Sequence, residues 1–259
     1  MKTKIISFAK SIGIQKCAVA EHNGKSAIVC LFPYYSGYRK GNLSIYTYCE
    51  DYHSIVNKKL SQISDFIKSI SPQSTCECFC DIGPNIDRHL AYKAGLGFYG
   101  KNQMLINNDY GTYFFIGYVL TDLVLEYDSP LNKECLNCGK CAENCPGKAL
   151  DNGFNIELCA SHISQKKGTL SDEEIEVLRK SGLIFGCDMC QSVCPHNKIS
   201  PCAMEEFTHN LIFNLKLSDI ENYSNKEFNA KYKNRAFSWR GKNVLLRNIN
   251  LLKSAERER

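Results

Sequence analysis

The sequence predicts an α+β protein in three consecutive parts. These are a mixed α/β domain over residues 1–126, a cysteine-rich module over 127–205, and a short, basic helical segment over 206–259. Three observations predict this division. Apolar residues switch between strand and helix spacing through the first part. Eight of the fifteen cysteines crowd together in the second, seven in two runs and one alone between them. The third carries ten basic residues from Lys226 to Arg259, opposed only by Glu227, Glu256 and Glu258.

Taken in order, residues 1–14 have an amphipathic helical pattern, and Lys4, Ser7 and Lys10 interrupt what would otherwise be an apolar run. Residues 26–32 form a continuous apolar stretch closed by Pro33, the pattern of a buried strand. Residues 51–70 place Ile55, Leu60, Ile63, Phe66, Ile67 and Ile70 at helical spacing and stop before Pro72. Residues 76–80 alternate as a short strand, 86–94 read as a helix ended by Gly95, and 113–120 are β-rich. The cysteine region reads as short helical turns. Beyond it, residues 244–252 read as a helix.

With 259 residues and 44% hydrophobic content, the chain can bury one large core or two unequal ones. The N-terminus lacks the unbroken apolar core and small-residue cleavage site of a secretory signal. No apolar run approaches the roughly 18 residues of a membrane span. A cytoplasmic protein with no membrane partner is expected, and there an excess of cysteine points to metal rather than disulfides. The formal charge is +5; metal bound through cysteine thiolates would lower it. An anionic partner must then be met by a local patch. The basic segment supplies one, with Tyr232, Phe237 and Trp239 interleaved among its cations. That composition suits phosphate contact with base stacking, and equally suits a solvated tail.

Cys135, Cys138, Cys141 and Cys145 form C-x2-C-x2-C-x3-C-P, and Cys187, Cys190 and Cys194 form C-x2-C-x3-C-P, with Cys159 alone between them. This is the spacing with which bacterial ferredoxins hold [4Fe-4S] clusters, the fourth cysteine of a run serving the other cluster. Cys135, Cys138, Cys141 and Cys194 are therefore expected to hold one cluster. Cys145, Cys159, Cys187 and Cys190 are expected to hold the second. Structural zinc prefers paired C-x2-C hooks and fits the pattern poorly. Cys17, Cys30, Cys49, Cys76, Cys78, Cys80 and Cys202 are read as small core residues.

The segment from Asp81, DIGPNIDRHLAYKAGLGFYGKN, is not ferredoxin-like. Its glycines suggest backbone brought close to something large and flat. Asp81 follows a strand, where a carboxylate can be held rigidly toward a pocket, or can cap the next helix. This segment, the two cysteine runs with an isolated cysteine between them, Asp51-Tyr-His53 and Ser238-Trp-Arg-Gly-Lys242 resemble the epoxyqueuosine reductase family. Arg247-Asn248 belongs to the same likeness.

The resemblance implies a cobalamin-binding first domain and a ferredoxin-like module. It also implies reduction of epoxyqueuosine to queuosine at the wobble position of tRNA, with cobalamin fed by the two clusters. It implies Asp81 as proton donor, its carboxyl kept protonated by burial near the corrin. Ser44 would lie beneath cobalt. Leu105 and Ile116 would line the corrin, and Ser161, Gln165, Lys167, Gly168 and Asp188 would stand near it. An external one-electron donor such as a flavodoxin or ferredoxin is expected. Against the family's pattern the chain is short near residues 21–26 and stops before the HEAT-like repeats that grip tRNA, so it reads as a short form. The competing readings are another corrinoid–iron–sulfur reductase, related to reductive dehalogenases, and a non-catalytic ferredoxin-type electron carrier.

Overall fold

A computed structural model describes residues 1–81 and 86–257, with side chains to residue 254. The chain divides into two compact units, each assembled from separate stretches. The first comprises Met1–Ser36, Tyr52–Asn137 and Lys198–Phe207; the second comprises Gly37–Asp51, Cys138–Asn197 and Thr208–Arg259. The boundaries expected near 126 and 205 do not coincide with this division. The segment before the long N-terminal helix and the C-terminal segment both join the cysteine module, a pairing that local sequence patterns cannot reveal.

In the first unit, helix α1 (Lys2–Ser11) precedes strands β1 (Lys16–His22) and β2 (Lys25–Pro33), then α2 (Tyr52–Ile70), β3 (Cys76–Phe79) and α3 (Asp87–Lys93). Two short strands, β4 (Phe98–Tyr99) and β5 (Leu105–Ile106), form a separate ribbon, and β6 (Phe114–Thr121) completes the main sheet. That sheet has order β1-β2-β6-β3 and is antiparallel throughout. Strand β1 was not anticipated. Its signal is the Asn23-Gly24 dipeptide, whose two positive φ angles (49° and 76°) make the tight hairpin that sets His22 opposite Lys25.

Each face of the sheet is covered by a helix. Ala20, Ala27, Val29, Leu31 and Tyr118 pack with Leu90 and Ala91 of α3 and with Ala94 just after it. On the other face α2 lies so close that a Cβ at Gly117 would sit 2.7 Å from Val56 and 3.0 Å from Leu60. Val56, Leu60, Ile63 and Ile67 of α2 are fully buried, each contributing about 1.5–3 kcal/mol of apolar burial. Phe8 of α1 stacks on Phe66 of α2, ring centroids 4.3 Å apart.

The second unit is built of helical turns: α4 (Lys140–Glu143), α5 (Ala160–Ile163), α6 (Asp172–Ser181), α7 (Met189–Ser192), α8 (Asn225–Tyr232) and α9 (Lys242–Arg257). The short turns are local, but α6 and α8 each begin with a full capping box, Ser171 with Glu174 and Ser224 with Glu227. Ile163, Leu170 and Leu178 pack with Leu251 and Leu252, joining α5, α6 and α9.

The basic segment is less open than its composition suggested. Tyr232 and Phe237 are core residues. The buried Arg235 donates to the carbonyls of Tyr48 and Asn210. Of the three interleaved aromatics only Trp239, 60% exposed, faces solvent. Among the described residues no helix is long and apolar enough to cross a membrane.

Candidate cluster and catalytic sites

The cysteine runs fold as tight turns because each is punctuated by residues that tolerate a left-handed backbone: Asn137, Gly139 and Lys148 all have positive φ. Cys138 and Cys141 flank the start of α4; Cys190 lies in α7, and Cys194 follows it immediately before Pro195. The turns α4 and α7 pack on each other. Cys135 belongs to the Tyr52–Asn137 stretch of the first unit.

The set expected to hold the second cluster converges. Cys145 is buried with Ala149 and Leu150, and Cys141, Cys159 and Cys190 pack against them. Burial pushes the Cys187 thiol up to about 12, and the neighbouring Asp188, Cys159 and Cys145 add to the shift. Cys190 is raised further by burial first, then by Cys187, Cys159 and Cys145. Thiols that resist ionising in apolar surroundings become thiolates when a metal compensates the charge. Among the described residues no three such side chains are placed to hold a single ion. A cubane needs a wider spread of donors than one ion does. The backbone already turns toward these sulfurs, since the amide of Ala149 donates to Cys145 Sγ at 3.3 Å.

Asp188 ties the second run to residue 44. Its carboxylate accepts the Ser44 hydroxyl at 2.6 Å and the Ile45 amide at 2.8 Å. Burial pushes Asp188 up to about 6 against those two hydrogen bonds. Gly186 (φ 74°) makes the approach possible, because a Cβ there would lie 2.4 Å from Ser44 Cβ. Ser44 is therefore fully buried with its hydrogen committed.

The other residues expected near a corrin in this unit lie around α5. Gln165 Nε2 donates to the carbonyl of Ser161 at 3.0 Å, and its Oε1 accepts from Trp239 Nε1 at 3.0 Å. Arg240 stacks on the Trp239 ring at 3.6 Å. The exposed Gly168 gives its carbonyl to Arg247 at 2.6 Å, and Lys167 is exposed beside it. Sequence reasoning assigned no job to Asn248. It is fully buried and donates to the carbonyls of Ser164 (2.7 Å) and Ile184 (2.8 Å). An asparagine at helical spacing among Val244, Leu245, Ile249 and Leu252 was the available signal.

In the first unit Asp81 ends the segment after β3 with φ 58°, in the left-handed region that costs a non-glycine residue energy and often marks a functional position. Its Oδ2 accepts the Tyr52 hydroxyl. Asp81 N–H donates to Asp87 Oδ2 at 3.3 Å. Burial, and then the charge of Asp81, raise the Asp87 carboxyl above its ordinary value. Asp81 itself is exposed in the chain alone. Leu105 is buried in the α3 side of the core, and Ile116 packs on that core half-buried.

Two further expectations change. At Gly97 a Cβ would meet the Ile106 carbonyl at 2.7 Å, and at Gly117 it would meet α2, so these glycines let the chain pack on itself. Gly83 lies outside the described residues. Of the seven cysteines read as core, Cys30, Cys49 and Cys80 are buried and Cys17, Cys76 and Cys202 half-buried, but Cys78 is exposed because β3 is an edge strand.

Residues 134–197, which contain all eight predicted ligands, match the family described as 4Fe-4S double cluster binding domain. Residues 18–82 match the family described as Epoxyqueuosine reductase QueG, DUF1730. An epoxyqueuosine reductase of Cyclobacterium marinum is 32% identical over 89% of this chain and 76% of that protein. One of Lactococcus garvieae is 38% identical over 82% of this chain and 61% of that protein. The chain thus spans about three-fifths of the latter's length. Among solved structures, the Streptococcus thermophilus epoxyqueuosine reductase superposes with TM-score 0.87 at 25% identity, covering 100% of this chain and 82% of that one. An epoxyqueuosine reductase bound to an epoxyqueuosine-modified tRNA stem loop gives 0.85 at 27% identity, covering 97% and 80%. A catabolic reductive dehalogenase at 14% identity and TM-score 0.50 shares the fold alone.

Proposed function

Because the chain belongs to the epoxyqueuosine reductase family, we propose that it reduces epoxyqueuosine in tRNA to queuosine with cobalamin and two [4Fe-4S] clusters. The observation that carries this reading is a whole-length likeness to such an enzyme, combined with eight cysteines at cluster spacing and a lone carboxylate on a left-handed turn. Converting an epoxide to an alkene consumes two electrons and two protons and releases water. Bound cobalamin supplies the two-electron reduction, the hard chemistry a protein side chain cannot perform.

The chain's own residues hold the parts in place. Cys135, Cys138, Cys141 and Cys194 hold one cluster and Cys145, Cys159, Cys187 and Cys190 the other; the convergence of the second set supports its half of this assignment. Ser44, Leu105, Ile116, Ser161, Gln165, Lys167, Gly168 and Asp188 are the residues proposed to stand around the corrin. Two aliphatic side chains beside hydrogen-bonding groups, one cation and one carboxyl suit an apolar ring rimmed by amide side chains. Ser44 would act there as a pair with Asp188, to which it gives its hydrogen.

Asp81 gives a proton to the oxygen leaving the epoxide, a general-acid role that contributes typically 10²–10⁴-fold. An exposed position in the chain alone is consistent with that, because substrate and cofactor then cover it. The anionic tRNA meets the Trp239–Arg240 pair and the cations around it. A flavodoxin or ferredoxin supplies single electrons, in the cytoplasm. Asp81→Asn tests the assignment: product formation should fall by at least about 100-fold with cluster content intact, and an unaffected variant would remove Asp81 from the mechanism.

A further inference from the structure

We infer that Tyr52 is the positioning residue of the reaction: its hydroxyl clamps one oxygen of the Asp81 carboxylate and holds that side chain in its reactive orientation. The inference rests on the proposed role of Asp81 and adds a second residue to it.

Three observations meet at this point. First, Tyr52 is anchored. It is 7% exposed at the start of α2, and its ring stacks on Phe115 of β6 (centroids 3.9 Å, interplanar angle 7°) and on His53 (4.2 Å, 25°). A ring held between two others has its hydroxyl direction fixed by packing rather than by the bond it makes. Second, the partner is not anchored by itself. Asp81 is exposed, lies beyond the end of β3, and has a left-handed backbone that is populated only when surrounding contacts determine it. Third, the two carboxylate oxygens differ. Oδ2 accepts the Tyr52 hydroxyl, which leaves Oδ1 as the oxygen turned to other work.

Asp87 completes the arrangement from the opposite side. Its Oδ2 accepts the Asp81 amide at 3.3 Å, so backbone and side chain of Asp81 are each held by one group. Among the described residues Asp87 is the charged group that faces Asp81, His53 stacks on Tyr52, and Arg88, beside Asp87, donates to the Gln103 carbonyl at 2.5 Å. Tyr52 supplies the side-chain hydrogen bond. A general acid displaced by an ångström loses on the order of 100-fold in rate, and holding this carboxylate is the job a rigid phenol does well.

Tyr52→Phe isolates the hydroxyl, because the ring stack with Phe115 and His53 is kept. In the cluster- and cobalamin-loaded protein it should lower kcat roughly 10- to 100-fold with KM for the modified stem loop unchanged. The decisive comparison is with Asp81→Asn. If Tyr52 acts through Asp81, the double variant is no slower than Asp81→Asn alone. Independent, multiplicative losses would show a separate structural role and overturn the inference. A readout that needs no turnover accompanies the cycle: hydrogen exchange of the Asp81 amide in the protein without substrate. It should quicken several-fold in Tyr52→Phe while core amides of α2 are unchanged, and an unchanged Asp81 amide overturns the clamp. Absence of turnover in wild type, with the Asp81 amide still responding to Tyr52→Phe, would fault the proposed reaction and leave the clamp standing.

Discussion

Replacing Asn248 by alanine removes the side chain that joins the stretches bearing Cys159 and Cys187. Its amide donates to the carbonyl of Ser164, on the stretch after Cys159, and to that of Ile184, shortly before Cys187. Its Oδ1 accepts Arg247 Nε at 3.0 Å. All of this happens at a position with no solvent exposure, so water cannot take over either carbonyl. A buried polar group stripped of its partner costs about 1–3 kcal/mol. Two carbonyls and the small cavity then give about 2–5 kcal/mol. For a chain of this size that is a fall of roughly 5–15 °C in the unfolding midpoint of the cluster-loaded protein, followed by circular dichroism. Iron should also leave faster under a chelator, because Cys159 and Cys187 lose their common brace. A midpoint shift below about 2 °C would refute the reasoning, since it would mean the two carbonyls find other donors.

Other outcomes follow from the same geometry. Cys159→Ser should reduce iron from about eight to about four atoms per chain, measured after anaerobic reconstitution; an unchanged count would transfer the fourth ligand to another residue. Trp239→Ala should weaken binding of the modified stem loop by about 1–3 kcal/mol. Arg240→Ala should weaken it too and flatten its salt dependence by about one phosphate contact, both read by titration at several salt concentrations. Asp87 binds its proton more tightly folded than unfolded, burial being the first cause and Asp81 the second. Its stabilising contribution is therefore full below the ordinary carboxylate range and is lost as pH rises through the raised folded value. The stability of Asp87→Asn relative to wild type, from urea midpoints, should accordingly increase with pH across that window.

The sequence was most legible where chemistry dictates spacing. Seven cysteines at ferredoxin intervals, α2 with its apolar stripe, and the strand at 26–32 all follow from local rules. It was less legible where partners come from far along the chain. Nothing local shows that Ser44 is bonded to Asp188 144 positions away, or that residues 37–51 leave the N-terminal unit for the second. Strand β1 was missed because its apolar content is modest, and only the Asn23-Gly24 turn betrays it. Tyr232 and Phe237 looked like a stacking surface by composition yet fill the core, because composition does not say which rings at the end of α8 and in the turn after it face inward. The clamp on Asp81 was equally hidden: Tyr52 lies 29 positions earlier and meets it only through the sheet.

The central proposal is that this chain, whose match spans 61% of its Lactococcus garvieae relative, reduces epoxyqueuosine to queuosine. The most direct measurement is nucleoside analysis of an epoxyqueuosine-modified tRNA stem loop after anaerobic incubation with the iron-loaded protein and a chemical reductant, with and without cobalamin. Queuosine should appear only when cobalamin is present, over many turnovers, and be lost in Asp81→Asn. Full clusters with bound cobalamin and no queuosine would contradict the claim.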